Sequence, residues 1–219
     1  MISEINSQCP FDIPGLVWRE GRFSISQAMT LTTSADPLGR MEITLPDDLI
    51  TAVPKRRSEY LAGRLCAALA LRAAGQPVHV GRNGRAPKWP PGVAGSISHS
   101  DSRAIAVVSL THRAVGVDCE TVMSDALAQK LRGEIFTAVE AQFCPPTLSF
   151  TSFVTLVFSA KEAVYKALSA QLDTMPAFLD VVLVGLAADH LQMELHGKPV
   201  QVHYRLTEME CVTLVALGA

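Results

Sequence analysis

Two stretches of this chain repeat their apolar residues at helical spacing, while most of what surrounds them reads as short strands and turns. The first begins near Pro54, a residue that a first helical turn tolerates. It carries Tyr60, Leu61, Leu65, Ala68 and Leu69 on one face, and the spacing predicts a helix that stops at Gly75. The second covers residues 153–169, with Leu156, Ala160, Ala163, Val164, Ala167 and Leu168 apolar. Its opposite stripe is polar: Thr155, Ser159, Glu162, Lys166 and Ser169. Residues 104–110 and 115–120 read as strands divided by Thr111, His112 and Arg113, with Val117 and Cys119 expected to face the core. Residues 181–186, 191–195, 200–206 and 211–217 read as further strands, with a turn at Gly197, Lys198 and Pro199. Short strands joined by turns predict antiparallel sheet.

A chain of 219 residues, 48% of them hydrophobic, suits one compact domain or two small halves sharing a core. The turn at Thr111, His112 and Arg113 predicts a division into 1–112 and 113–219. Residues 75–91, dense in Gly and Pro, predict an ordered loop.

The net charge of -2 argues against a general nucleic-acid binder, which needs surplus Lys and Arg to displace phosphate counterions. A local surplus exists nonetheless: Lys55, Arg56, Arg57, Arg64, Arg72, Arg82, Arg85 and Lys88 stand against one acid, Glu59. That pattern fits a small polyanion. The five scattered cysteines form no C-x-x-C pair, which favours a reducing compartment over zinc or disulfides. Residues 1–14 carry Glu4 and Asp12 and lack the apolar core of a signal peptide, and no stretch reaches the length of about 20 apolar residues that a bilayer crossing needs. A cytoplasmic location is expected, and peripheral membrane attachment would leave no readable signal.

Three segments carry chemistry. In Gly116-Val117-Asp118-Cys119-Glu120 the acids lie two apart, so a strand projects them together, as a magnesium site or as a solvated face. Glu162 and Lys166 form an i,i+4 pair that reads first as a surface ion pair and otherwise as a metal ligand beside a phosphate-directed cation. Gly95-Ser96-Ile97-Ser98-His99-Ser100 does not complete the G-x-S-x-G pattern of a serine hydrolase. Its Ser98 and His99 read as donors to a phosphate, or as members of a serine-rich turn.

Taken in order, the basic first helix, Gly84-Arg85-Ala86-Pro87-Lys88-Trp89-Pro90, and residues 95–100, 116–120 and 158–167 resemble the 4'-phosphopantetheinyl transferases of the surfactin-synthetase-activating type. The resemblance implies an α+β fold of two pseudo-symmetric halves, each a small antiparallel sheet packed with a long helix. It implies transfer of the phosphopantetheine arm of coenzyme A to a serine of an apo acyl or peptidyl carrier protein, by a monomer. The branch most resembled serves nonribosomal peptide siderophore synthesis; carriers of polyketide or fatty-acid synthesis, a magnesium-dependent diphosphate hydrolase and a coenzyme A sensor are the alternatives. By resemblance, Asp118, Glu120 and Glu162 match the Mg²⁺ ligands and Lys166 the lysine near the diphosphate. Arg56 and Arg64 match residues that hold coenzyme A at its 3'-phosphate, Arg85 a residue beside the adenine nucleotide, and Ser98 and His99 phosphate contacts. Glu162 and Lys166 are the expected catalytic pair. Arg57 competes with Arg56, and Cys119 departs from the aliphatic residue general in this branch.

Overall fold

The computed structural model describes residues 2–32, 41–84, 86–169 and 176–218. Arg85 lies outside the described residues. Two compact units emerge: Met1–Cys9 with Gly15–Leu110, and Pro10–Pro14 with Thr111–Ala219.

In the first unit, β1 (Ile2–Asn6), β2 (Leu16–Phe23), β7 (Ala94–His99) and β8 (Arg103–Ser109) form an antiparallel sheet in the order β1-β2-β8-β7. Between β2 and β7 come the small pair β3 (Thr30–Thr32) and β4 (Glu42–Thr44), the short helix α1 (Asp47–Ile50), the long helix α2 (Pro54–Ala73), and the pair β5 (Gly81–Asn83) and β6 (Ala86–Lys88). Helix α2 starts with Pro54 in its first turn, as expected, and ends with Gly75 at φ 68° just past its C-cap. Small residues let it lie close to the sheet: Ala62, Cys66, Ala67 and Ala70 pack against Ala104, Ala106 and Val108.

In the second unit, β9 (Ala114–Thr121), β10 (Val181–Leu186), β11 (His190–Leu195), β12 (Lys198–Leu206) and β13 (Glu210–Leu217) form an antiparallel sheet in the order β10-β11-β12-β13-β9. Helices α3 (Asp125–Ile135) and α4 (Phe150–Leu168) complete it, with short 3₁₀ turns at Glu140–Phe143 and Phe178–Asp180. Ser149 caps α4 by accepting the Ser152 amide at 3.1 Å. Phe153, Leu156, Ala160, Ala163 and Val164 then pack into one core with Leu183, Leu191, Met193 and Val202. Fully burying a large apolar side chain of this kind contributes about 1.5–3 kcal/mol. The α+β class of two sheet-and-helix units is therefore what the chain adopts, and no helix among the described residues is long and apolar enough to cross a membrane.

Four expectations need correction. Residues 95–100 are largely the strand β7 and not a serine-rich turn, with Ser96 and Ser98 buried. The indole of Trp89 lies where a Cβ on Gly95 would sit, so the glycine of this strand is a packing site. The β11–β12 turn falls at His196 and Gly197, both at positive φ (49° and 76°), while Lys198 and Pro199 already belong to β12. Two positive-φ central residues make the tight hairpin whose twist matches its strands. Within 75–91, β5 and β6 form a small hairpin. Finally, the polar stripe of α4 is not a solvated face along its length: Thr155 and Ser159 are fully buried, Glu162 and Lys166 half-buried, and only Ser169 is exposed.

Candidate active site

The buried part of that stripe is held by hydrogen bonds to β13 and to the chain just after β9. Thr155 Oγ1 accepts the Met123 amide at 2.9 Å, and Ser159 Oγ lies 2.9 Å from Thr213 Oγ1, which also donates to the Ser159 carbonyl at 2.8 Å. Thr213 pairs with Asp118 across β13 and β9, Cys211 with Glu120, and Val215 with Gly116. Opposite residues of an antiparallel pair share a face, so Gly116, Asp118 and Glu120 lie on the side that α4 covers. The glycine makes this approach possible: a Cβ at Gly116 would collide with the Ala163 carbonyl and the Ala167 amide. The two acids therefore project toward the helix side and its core, contrary to the expectation that only Val117 and Cys119 face inward. Both faces of β9 are buried, with Val117 at 0% and Cys119 at 1% exposure.

Under the helix, Asp118 is 2% exposed and accepts a hydrogen bond from Lys166 Nζ at 2.7 Å. Burial alone would depress the Lys166 ammonium, but the Asp118 carboxylate overrides it and holds Lys166 above the ordinary lysine value. Lys166 thus stays charged. Burial pushes the Glu162 carboxyl up; Lys166 opposes this, and Asp118 adds to it by like-charge repulsion. Glu162 and Asp118 accordingly share one electrostatic neighbourhood. Glu120 is half-buried at the next same-face position, and its charge and that of Asp118 add to the burial that raises the Cys211 thiol. Tyr165, pushed up to about 12 by burial, donates from its hydroxyl to the Ala177 carbonyl at 2.6 Å and stays protonated.

A hard divalent cation fits this donor set. Mg²⁺ is commonly held by one or two carboxylates and completed by water and substrate phosphate oxygens, and a cation would offset the like-charge repulsion that adds to burial at Glu162. Among the described residues, no three His, Cys, Asp or Glu side chains stand close enough to hold an ion by themselves.

The first unit brings together a different group. Arg56 Nη1 lies 3.1 Å from His99 Nε2 at the end of β7, whereas Arg57 turns away to Gln27 Oε1 at 2.7 Å. Ser98 is 4% exposed. Arg64, 8% exposed, donates from Nη1 to the carbonyls of Val80 and Gly81 at 2.7 and 2.9 Å and stacks on Tyr60. Its guanidinium braces the chain before β5, leaving only its other nitrogens for a ligand.

One buried ion pair escaped the sequence reading. Lys161 and Glu140 are both fully buried, with Nζ 3.0 Å from Oε1. The contact is Coulombic more than directional, since Lys161 Nζ makes no well-aligned hydrogen bond. Glu140 also accepts the amides of Leu183 at 2.9 Å and Thr137 at 2.8 Å, tying the 3₁₀ turn to β10. The available signal was the position of Lys161 outside the polar stripe of its helix.

Comparisons with known proteins agree along most of the chain. Residues 45–109 match the 4'-phosphopantetheinyl transferase N-terminal domain, and residues 114–215 the 4'-phosphopantetheinyl transferase superfamily. The chain is similar to enterobactin synthase component D of Salmonella typhi, 42% identical over 151 residues, covering 68% of this chain and 63% of the relative. The same-named protein of Escherichia coli O157:H7 is 36% identical over 162 residues, covering 73% and 77%. The 4'-phosphopantetheinyl transferase PptT of Mycobacterium tuberculosis is 34% identical over 140 residues, covering 61% and 60%. The chain thus spans less than two thirds of the Salmonella relative's length.

Proposed function

This chain belongs to the 4'-phosphopantetheinyl transferase superfamily, and on that premise we propose that it transfers the 4'-phosphopantetheine arm of coenzyme A to a serine of an apo carrier protein. The observation that carries the reading is the buried Asp118–Lys166 contact at 2.7 Å with Glu162 in the same electrostatic neighbourhood, inside the matched stretch. The similarity to proteins named enterobactin synthase component D favours carriers of nonribosomal peptide siderophore synthesis.

Asp118, Glu162 and Glu120 would hold Mg²⁺ together with phosphate oxygens of the substrate, since the three carboxylates do not stand close enough to hold it by themselves. Bound there, the ion supplies charge neutralisation at the diphosphate of coenzyme A. Glu162 is the general base, the half-buried carboxylate of α4 placed beside Asp118 and Lys166 to accept the proton of the carrier serine. As that proton leaves, the serine oxygen bonds to the phosphorus bearing pantetheine. The phosphorus–oxygen bond to the adenylate side breaks, and 3',5'-adenosine bisphosphate departs with the electron pair. Lys166, kept cationic by Asp118, offsets the charge that grows on the leaving phosphate. Its retained proton makes it a charge partner and not the acid of the step. Arg56, backed by His99, and Ser98 bind phosphate oxygens of coenzyme A, with Arg85 and the remaining nitrogens of Arg64 as further candidates.

The test is incubation with coenzyme A, magnesium and an apo peptidyl carrier domain, followed by intact-mass measurement. A carrier heavier by one phosphopantetheine supports the reading. Release of phosphopantetheine with an unchanged carrier indicates a hydrolase, and binding of coenzyme A with neither product indicates a sensor; either outcome refutes it.

A further inference from the structure

The one acid in the basic stretch lies beneath the pair expected to bind phosphate. Glu59 Oε2 is 3.6 Å from Arg56 Nη1 and 3.8 Å from His99 Nδ1, while Arg56 Nη1 is 3.1 Å from His99 Nε2. Arginine only donates, so Nε2 is the acceptor in that contact. The proton of the neutral imidazole then resides on Nδ1, the nitrogen facing Glu59. The Glu59 side chain is 12% exposed, against 44% for Arg56 and 31% for His99, so the carboxylate is the inner member of the group. Its neighbour Lys55 is already occupied by Asp101 at 2.7 Å.

We propose that Glu59 is a positioning residue, which holds His99 and Arg56 side by side so that the guanidinium of Arg56, steadied by His99 Nε2, receives a phosphate of coenzyme A. This rests on the transferase reading. A largely shielded carboxylate 3.8 Å from Nδ1 favours the Nδ1–H tautomer electrostatically, and Nε2, accepting from Arg56, steadies the guanidinium and leaves its remaining N–H groups for the anion. The role has a consequence opposite in sign to simple electrostatics. A carboxylate near an anion site repels the anion, so its neutralisation alone should tighten binding; if Glu59 positions the two bases, its neutralisation weakens binding.

Titration calorimetry with coenzyme A, together with steady-state transfer, decides between these. Glu59→Gln is expected to weaken coenzyme A binding by about tenfold and to raise KM in proportion, with kcat changed by less than about twofold. Glu59→Asp keeps the charge but withdraws it by one methylene, and should show the same direction of loss; it also serves if the glutamine variant fails to fold. In a His99→Ala background, Glu59→Gln should have less than half of its effect in the wild type on a logarithmic scale. Unchanged or tighter binding in both Glu59 variants, or a full effect in the His99→Ala background, overturns the proposal. A wild-type chain that neither binds coenzyme A nor modifies a carrier overturns the transferase reading itself, a failure visible before any variant is compared.

Discussion

Glu162 and Lys161 are adjacent in sequence and meet opposite fates. Glu162 belongs to the stripe facing β9, where burial and Asp118 make its ionisation costly, as befits a base. Glu162→Gln should lower kcat by roughly 10²–10⁴-fold while the fold persists, measured by carrier mass and circular dichroism. Normal turnover would remove Glu162 from the mechanism. Lys161 enters the core and depends on Glu140. Breaking that pair with Glu140→Gln should destabilise the chain by roughly 3–5 kcal/mol in denaturant unfolding, because it leaves a buried ammonium uncompensated. The pH dependence has a definite sign. Burial pushes the Glu140 carboxyl up, but the Leu183 and Thr137 amides and Lys161 outweigh it and hold it below the ordinary 4.5. Its stabilisation is therefore present above that value and lost as pH falls through the lower folded pKa. The Glu140→Gln variant should lack this acid limb.

At the scale of elements, the contact of α4 with β9 decides the geometry of the candidate site. Gly116 lets the helix backbone rest on β9, and the Ser159–Thr213 contact fixes its position against the neighbouring β13. Gly116→Ala should cost about 3 kcal/mol or more, since the collision is with backbone that cannot rotate away. Unfolding with unchanged stability would show that α4 is not held as described. The face of the second sheet away from α4 has its own pH signature. Phe11, from the Pro10–Pro14 segment, packs edge-on against His203 at 6.4 Å and beneath Arg205 at 5.3 Å. Burial depresses the His203 imidazole, and the nearby His190 and Arg205 depress it further against the opposing Asp189. Stability contributed here is complete above pH 6.5 and declines as pH falls toward the lower folded pKa. His203→Gln should flatten thermal stability across that window.

Over the whole molecule, a net charge of -2 coexists with a basic stretch much of which is already engaged within the first unit. Lys55 pairs with Asp101, Arg82 with Asp48, Arg57 with Gln27 and Arg64 with two backbone carbonyls. The charge left for a polyanion is smaller than the count of bases implies. Coenzyme A binding should still be electrostatic, and raising ionic strength should increase its KM severalfold with little change in kcat. A KM insensitive to salt would place the nucleotide elsewhere.

Much of this was legible without coordinates because it depends on short-range pattern. The period of α4 and α2, the alternation of the strands, the two-residue spacing of Asp118 and Glu120, and the ordered motifs that carried the family likeness all lie within one element or along one chain. β1, β2, β7 and α3 were not read as elements, because their periodic signals are weak or interrupted by Gly and Ser. Tertiary structure alone decided that both faces of β9 are covered, that Thr155 and Ser159 of the polar stripe of α4 are buried and bonded, that Lys161 enters a core, and that Glu59 sits under Arg56 and His99. Each depends on a surface supplied by residues far away in the chain, and side-chain spacing within an element reveals which residues share a face but not what will cover it.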